Sequence, residues 1–261
     1  MSPAMLVLLI LCVVVYMLIP YVLSRVCGLG VYRRGKNRQE KEFAFTFDDG
    51  PDPCYTPELL DLLKQYGVKA TFFVLGSKAE RYPELIWRMH EEGHQIGIHN
   101  YTHTCNWMLT PWEVKHQHVG RTADIIERIT GERPTCYRPP WGLLNMGDLL
   151  FLRKSYRIVV WSVMGWDWKR QDDAEPLTQR LLSKIKPGAI VLLHDSGDTP
   201  GADEEAPRQM LKALQTVLQV LQHKGYQYMR TDKLLEYKAV EGYAMNQTIH
   251  PAKHIKSRVY E

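Results

Sequence analysis

The chain has 261 residues, 45% of them hydrophobic, and a formal net charge of +4. That is enough apolar material for one substantial core, and no linker-like stretch divides it, so one globular domain is expected. The small charge is dispersed apart from one N-terminal cluster and does not call for nucleic acid; the five cysteines form no Cys-x-x-Cys pair and indicate neither a disulfide framework nor a thiolate metal site.

After a short N-terminus, residues 1–4, the stretch from Met5 to Leu23 carries no charge and is long enough to cross a bilayer as one helix. No Lys or Arg precedes it, whereas a cleaved signal peptide wants a basic n-region, a shorter apolar core and a small-x-small site, which argues for a transmembrane anchor. Arg25, Arg33, Arg34, Lys36, Arg38 and Lys41 mark residues 24–42 as a basic juxtamembrane linker, and the positive-inside rule holds that side in the cytoplasm. From Phe43 onward, β-rich runs alternate with helical spacing. Strands are predicted at Phe43 to Phe47, Ala70 to Leu75, Gln95 to His99, Arg157 to Ser162, Ala189 to Leu193 and Tyr226 to Met229, with a short seventh near Thr135 to Tyr137. Helices are predicted at Pro57 to Tyr66, Pro83 to Glu92, Thr110 to Ile129, Glu175 to Ile185 and Pro207 to Lys224. This alternation builds a parallel sheet, and the number of repeats favours a barrel of about seven strands with its site at their C-terminal ends. The domain is placed at residues 43–238, and 239–261 form a polar tail.

Chemistry collects at the predicted strand ends. Thr46-Phe47-Asp48-Asp49-Gly50-Pro51-Asp52 closes the first run with two adjacent carboxylates, which a strand would point in opposite directions. One is then available to bind a metal and the other to face a bound water. His99 and His103, four residues apart, come onto one side of a helical turn and offer two imidazole nitrogens to the same ion. One carboxylate and two histidines leave coordination positions open, as catalysis requires. Zinc suits this donor set best; cobalt, nickel and manganese are accepted by the same ligands. Three further motifs sit at strand ends: Arg138-Pro139-Pro140-Trp141-Gly142, Asp167-Trp168 and Leu192-Leu193-His194-Asp195.

Taken in order, these motifs resemble the polysaccharide deacetylase family, the carbohydrate esterases sharing a homology domain with a nodulation chitooligosaccharide deacetylase. The similarity runs from about Phe43 to Leu235 and includes the strand from Lys69 to Val74. The resemblance implies a distorted (β/α) barrel and metal-dependent hydrolysis of N-acetyl groups on amino sugars. By motif position it makes Asp49, His99 and His103 the metal ligands, Asp48 the general base and Arg138 its orienting partner. It places the backbone N–H of Trp141 in an oxyanion hole, lines the acetyl pocket with Trp168 and Leu192, and makes His194 the general acid held by Asp167. Three positions depart from the family pattern: Met164 stands where an acidic residue is common, Asn100 where Ser or Thr is commoner, and Thr104 where Pro often follows.

These readings point to a membrane-anchored deacetylase of N-acetylglucosamine glycans, peptidoglycan or a chitin-like polymer, with the bilayer met through Met5 to Leu23 and no protein partner implied. The family resemblance puts the domain outside the cytoplasm, whereas the flanking charges favour the cytoplasmic side. A cytoplasmic deacylase of a lipid-linked amino sugar and a non-catalytic sugar-binding relative are the competing expectations. Retention of Asp48, Arg138 and His194 argues against the second, because a pure binder needs none of them. An iron-dependent oxygenase with the same two-histidine, one-carboxylate set is disfavoured by the α/β pattern.

Overall fold

The computed structural model describes residues 2–169 and 172–236. Helix α1, Pro3–Val26, is long and apolar enough to cross a membrane, with mean hydropathy 2.9. The domain then runs β1 (Glu42–Asp48), α2 (Tyr55–Gln65), β2 (Thr71–Val74), α3 (Gly76–Arg81), α4 (Pro83–Glu91) and β3 (Gln95–Ile98). A helical stretch α5 (residues 111–130) leads to β4 (Cys136–Tyr137), α6 (Met146–Leu150), β5 (Arg157–Ile158) and β6 (Val163–Met164). Last come α7 (Glu175–Lys184), β7 (Ile190–His194), α8 (Ala206–His223), β8 (Gln227–Tyr228) and α9 (Thr231–Leu235).

Seven parallel strands form one sheet in the order β5-β4-β3-β2-β1-β7-β6, and β8 pairs with the start of β1. The expected strand over Arg157 to Ser162 is therefore divided: its beginning pairs with β4 at one edge, and the chain just beyond it pairs with β7 at the other. The connection is too short for a flat sheet. Five residue steps reach at most about 17 Å, whereas seven strands side by side span about 29 Å, so the sheet must curl until its edges approach. The result is the expected distorted barrel, left partly open.

Residues before β1 fill the gap. Tyr32 N–H donates to the Ile158 carbonyl at 2.8 Å, Val160 N–H donates to the Tyr32 carbonyl at 2.9 Å, and Gly35 N–H donates to the Gly188 carbonyl at 2.8 Å. The stretch expected as a linker over 24–42 is thus partly bonded into the barrel wall. Charge patterning marked it as membrane-flanking, and its backbone pairing left no local sequence signal.

Strand alternation sets what faces the lumen. Phe43, Phe45 and Phe47 face the helices within the main core, whereas Ala44 joins the inner cluster with Phe73, Cys136, Val159 and Ile190. Thr46 and Asp48 share that inward face, because period two continues along β1. On β7, Val191 and Leu193 pack outward while Ile190, Leu192 and His194 point inward or to the strand ends. Gly97 on β3 must be glycine, since a Cβ there would lie 2.7 Å from the Phe73 ring and from Cys136 Sγ.

Other element bounds differ modestly. The helix expected over Thr110 to Ile129 begins at a Thr110–Glu113 capping box, passes through a π-helical segment at Val114–Gly120 and ends at Thr130. Helices α3, α6 and α9 were not expected; each has only five or six residues, too few for a periodic signal. The tail expected at 239–261 lies outside the described residues.

Candidate active site

The cleft lies at the C-terminal ends of the strands and encloses about 310 Å³. Asp48 is the last residue of β1 and, as an inward residue, reaches it directly. Asp49 would point back toward the helices if the strand continued. Its backbone instead turns left-handed, φ 76°, and brings its carboxylate to the same side. The two acids are thus separated in role by a turn rather than by strand alternation. Gly50 permits that turn to pack closely, because a Cβ there would fall 2.3 Å from the Asp195 carboxylate.

His99 follows β3, and His103 returns to it across a loop without helical structure. The expected helical turn is absent: Asn100 takes φ 66° and folds the chain back. Its side chain holds that conformation by donating to the Thr104 carbonyl at 3.1 Å and to Asn106 Oδ1 at 2.8 Å, and by accepting from the Tyr137 hydroxyl at 2.9 Å. Asp49 Oδ1 then lies 3.4 Å from His99 Nε2 and 3.3 Å from His103 Nε2. Two ligands about 2.1 Å from a tetrahedral ion stand about 3.4 Å apart, so these separations fit a cation among them. Asp49 Oδ1 is moreover buried without any hydrogen-bond partner.

Protonation states match the same purpose. Burial works against ionised Asp49, but the two histidines beside it hold its carboxyl below the usual range. Burial lowers His103 to about 4, leaving a neutral imidazole with a free lone pair near neutral pH. His99 Nδ1 lies 2.7 Å from the Arg138 carbonyl, which fixes it as donor and directs Nε2 at Asp49. Thr199 Oγ1 donates to Asp49 Oδ2 at 2.7 Å, so only Oδ1 is left for an ion.

Arg138 is fully buried beneath the cleft. Its Nη1 donates to Asp48 Oδ1 at 2.5 Å and to Thr46 Oγ1 at 2.8 Å, and its Nε donates to the Val159 carbonyl at 3.0 Å. Its guanidinium carbon lies 4.1 Å from the centre of the Phe73 ring, above the space left by Gly97. Burial lowers the Arg138 pKa, and the Asp48 charge opposes that shift. Asp48 Oδ2 stays free, 3.9 Å from His99 Nε2.

Across the cleft, His194 pairs in register with Asp48 on the neighbouring strand. Asp167 Oδ1 lies 3.0 Å from His194 Nδ1, while Asp167 Oδ2 accepts from the His194 backbone N–H at 2.7 Å. Burial disfavours the imidazolium, but the Asp167 carboxylate overrides it and lifts His194 to about 9. Trp168 meets the His194 ring edge-on at 5.6 Å, and Leu192 lines the floor. Trp141 stands left-handed after the double proline, φ 56°, with its ring 4.2 Å from that of His103.

Every expected site residue therefore lines this cleft or bonds directly behind it. Sequence reasoning did not single out Trp161, Trp166 or Thr199 as cleft residues. Thr199 lies in the loop after β7, where no local sequence motif marks it. Asp49, Asn100, Trp141 and Trp166, the positive-φ residues other than glycine among those described, all lie in or beside the cleft, where backbone strain commonly marks function.

An ion-sized donor cluster, an arginine-clamped carboxylate and a carboxylate-held histidine, gathered at parallel strand ends, make a set suited to hydrolysis by proton transfer rather than by a nucleophilic side chain. The sequence pattern described as polysaccharide deacetylase matches residues 35–154. A Bacillus cereus protein named peptidoglycan-N-acetylglucosamine deacetylase is 36% identical over 196 residues, covering 75% of this chain and 68% of that protein. The peptidoglycan-N-acetylmuramic acid deacetylase PdaC of Bacillus subtilis is 37% identical over 199 residues; these are 76% of this chain but 40% of PdaC, so the chain spans less than half of that longer relative. The crystal structure of the peptidoglycan N-acetylglucosamine deacetylase Bc1960 superposes with a TM-score of 0.73 at 34% identity, over 81% of this chain and 95% of that one. The chain belongs to the polysaccharide deacetylase family.

Proposed function

We propose that this protein is a membrane-anchored, metal-dependent deacetylase that removes N-acetyl groups from the amino sugars of peptidoglycan. The observation that carries the reading is Asp48, whose Oδ1 is held by Arg138 while Oδ2 stays free beside the Asp49–His99–His103 cluster. The named relatives act on N-acetylglucosamine or N-acetylmuramic acid in peptidoglycan, which supports that polymer as the substrate class.

Asp49, His99 and His103 would hold a divalent cation, zinc fitting three N/O donors with an open position best. When bound, such a cation polarises an amide carbonyl and lowers the pKa of water from about 15.7 toward about 7. Asp48, aimed by its hydrogen bond from Arg138, then accepts the proton of the attacking water. The backbone N–H of Trp141 would stabilise charge developing on the carbonyl oxygen. Amide nitrogen leaves poorly unless protonated, and His194, proton-bearing and steadied by Asp167, faces the same space to supply that proton. Trp168 and Leu192 would flank the acetyl methyl.

Helix α1 supplies the anchor. A peptidoglycan substrate requires the domain to face outward, against the pull of the basic stretch after α1. Two of those charges are engaged on the protein itself: Arg25 lies over the Trp161 ring at 4.3 Å, and Arg33 Nη1 donates to the Arg25 carbonyl at 2.8 Å. The full chain should release acetate from N-acetylated peptidoglycan fragments or chitooligosaccharides, lose that activity to a chelator and recover it with zinc. Absence of acetate from every amino-sugar substrate would refute the assignment.

A further inference from the structure

The domain does not hang from α1 on a free tether. The Tyr16 hydroxyl donates to the Leu109 carbonyl, the Tyr21 ring meets Trp107 edge-on at 6.3 Å, and α6 packs against this half of the helix. An α-helix rises about 1.5 Å per residue, so a hydrocarbon core of about 30 Å takes about 20 residues. Counted from Pro3, that length ends near Val22. The contacts at Tyr16 and Tyr21 therefore fall at apolar depth, and the part of the domain beside them must meet lipid as well.

The side chains there suit that surrounding. Met108 is 82% exposed, Trp112 61%, Phe151 50% and Leu150 49%. The two segments that carry them adjoin, since Pro111 packs directly on Gly147 at the start of α6. Isolated exposed apolar residues are ordinary; a group of four bordering an apolar helix is a surface built for a nonaqueous neighbour. The polarity changes at the right height. Exposed Arg153 and Lys154 follow Phe151, and Arg25 comes one turn after Tyr21, where phospholipid headgroups begin.

The cleft lies at that same level. Arg25 covers the Trp161 ring, which lines the cleft, and its Nη1 approaches Gly142 beside the rim residue Trp141. We propose that the domain rests on the bilayer through a lip of Met108, Trp112, Leu150 and Phe151, so that the cleft receives amino sugars held at the membrane surface: the substrate class is a lipid-attached saccharide. This rests on the anchoring proposed above, and it narrows the substrate from glycan in general to glycan still carried on lipid.

The test uses the full chain in phosphatidylcholine–phosphatidylglycerol nanodiscs containing acyl-brominated lipid. Trp112→Phe should remove part of the bromine quenching of tryptophan fluorescence, whereas Trp87→Phe, on α4, should leave it unchanged. The triple variant Met108→Ser, Trp112→Ser, Phe151→Ser should lose about tenfold in kcat/KM on an N-acetylated saccharide attached to lipid and keep its rate on a soluble oligosaccharide. Quenching that ignores Trp112→Phe, or equal activity of the triple variant on both substrates relative to the native chain, overturns the lip. If carbonate extracts the chain from membranes, the anchor and the lip fall together. If neither saccharide yields acetate while Trp112 is still quenched, the lip stands and the deacetylase reading fails.

Discussion

The wall of the cleft that carries Asp48, Asp49, His99 and Arg138 is almost wholly buried, while the opposite wall ends in Trp166, 52% exposed, and the loop from Asp195 to Ala206. On the buried wall each polar group has a fixed partner: Arg138 for Asp48, the Arg138 carbonyl for His99 and Thr199 for Asp49. On the open wall the rings of Trp166 and Trp168 lie 5.0 Å apart and serve the cleft as surfaces rather than as charges. The difference separates two tasks. Groups that bind an ion or move a proton must be held within a fraction of an ångström, which requires burial and hydrogen-bonded support. Groups that meet a polymer need access.

If this division is real, damage to the buried wall should cost the most. His99→Ala or Asp49→Asn removes one of three donors, and both bound metal and acetate release should fall below detection in metal analysis and product assay. Retained activity in either variant would break the comparison at its strongest point. Asp48→Asn should keep the metal yet lose about 10²–10⁴-fold in kcat, the usual worth of a proton-transfer group. It also leaves Arg138 buried without its carboxylate, so a stability loss of about 3–5 kcal/mol should appear in denaturant melts.

The His194 side sharpens the contrast through pH. With a pKa raised to about 9, His194 is protonated below that value and loses its proton above it. Activity needing the acid should therefore decline as pH rises through about 9. The shift also stabilises the fold: this contribution is complete below about pH 6.5, the ordinary imidazole value, and disappears as pH rises through about 9. Asp167→Asn removes the carboxylate that lifts His194, so the alkaline limb of the kcat profile should move to lower pH while metal content stays unchanged. A limb that does not move would assign it to another group.

Much of this architecture was legible because each motif ends a short run of β-formers, and parallel strands gather their ends in one place. Asp48, Arg138 and His194 could be placed that way from residue types and order alone. How the parts meet was not legible. The approach of His103 to His99 depends on left-handed Asn100, whose conformation is held by Asn106 and by Tyr137, a residue far along the chain. Helical spacing predicted the same proximity for a different reason. Division of the expected strand after Arg157 follows from closing a curled sheet, which is a property of all the strands together. The pairing of Tyr32 with Ile158 likewise has no local signature.

Thr199 crosses the division between the walls, and for that reason gives the finest test of it. It belongs by sequence to the open loop, whose neighbours Ser196 and Asp198 are gripped by Lys78, yet it is itself buried and donates to Asp49 Oδ2. Thr199→Val keeps the shape and removes that one hydrogen bond. Outer partners of metal ligands are typically worth about 10–100-fold in affinity, so titration of the metal-free protein against a chromophoric chelator should show weakening in that range. At saturating metal, kcat should stay close to the native value, because Asp48, Arg138 and His194 are untouched. An unchanged affinity would mean that Asp49 is fixed by β1 alone and that the loop merely covers the cleft. A collapse of kcat at saturating metal would mean that the loop positions substrate as well as the ion, and the two walls would then have to be treated as one.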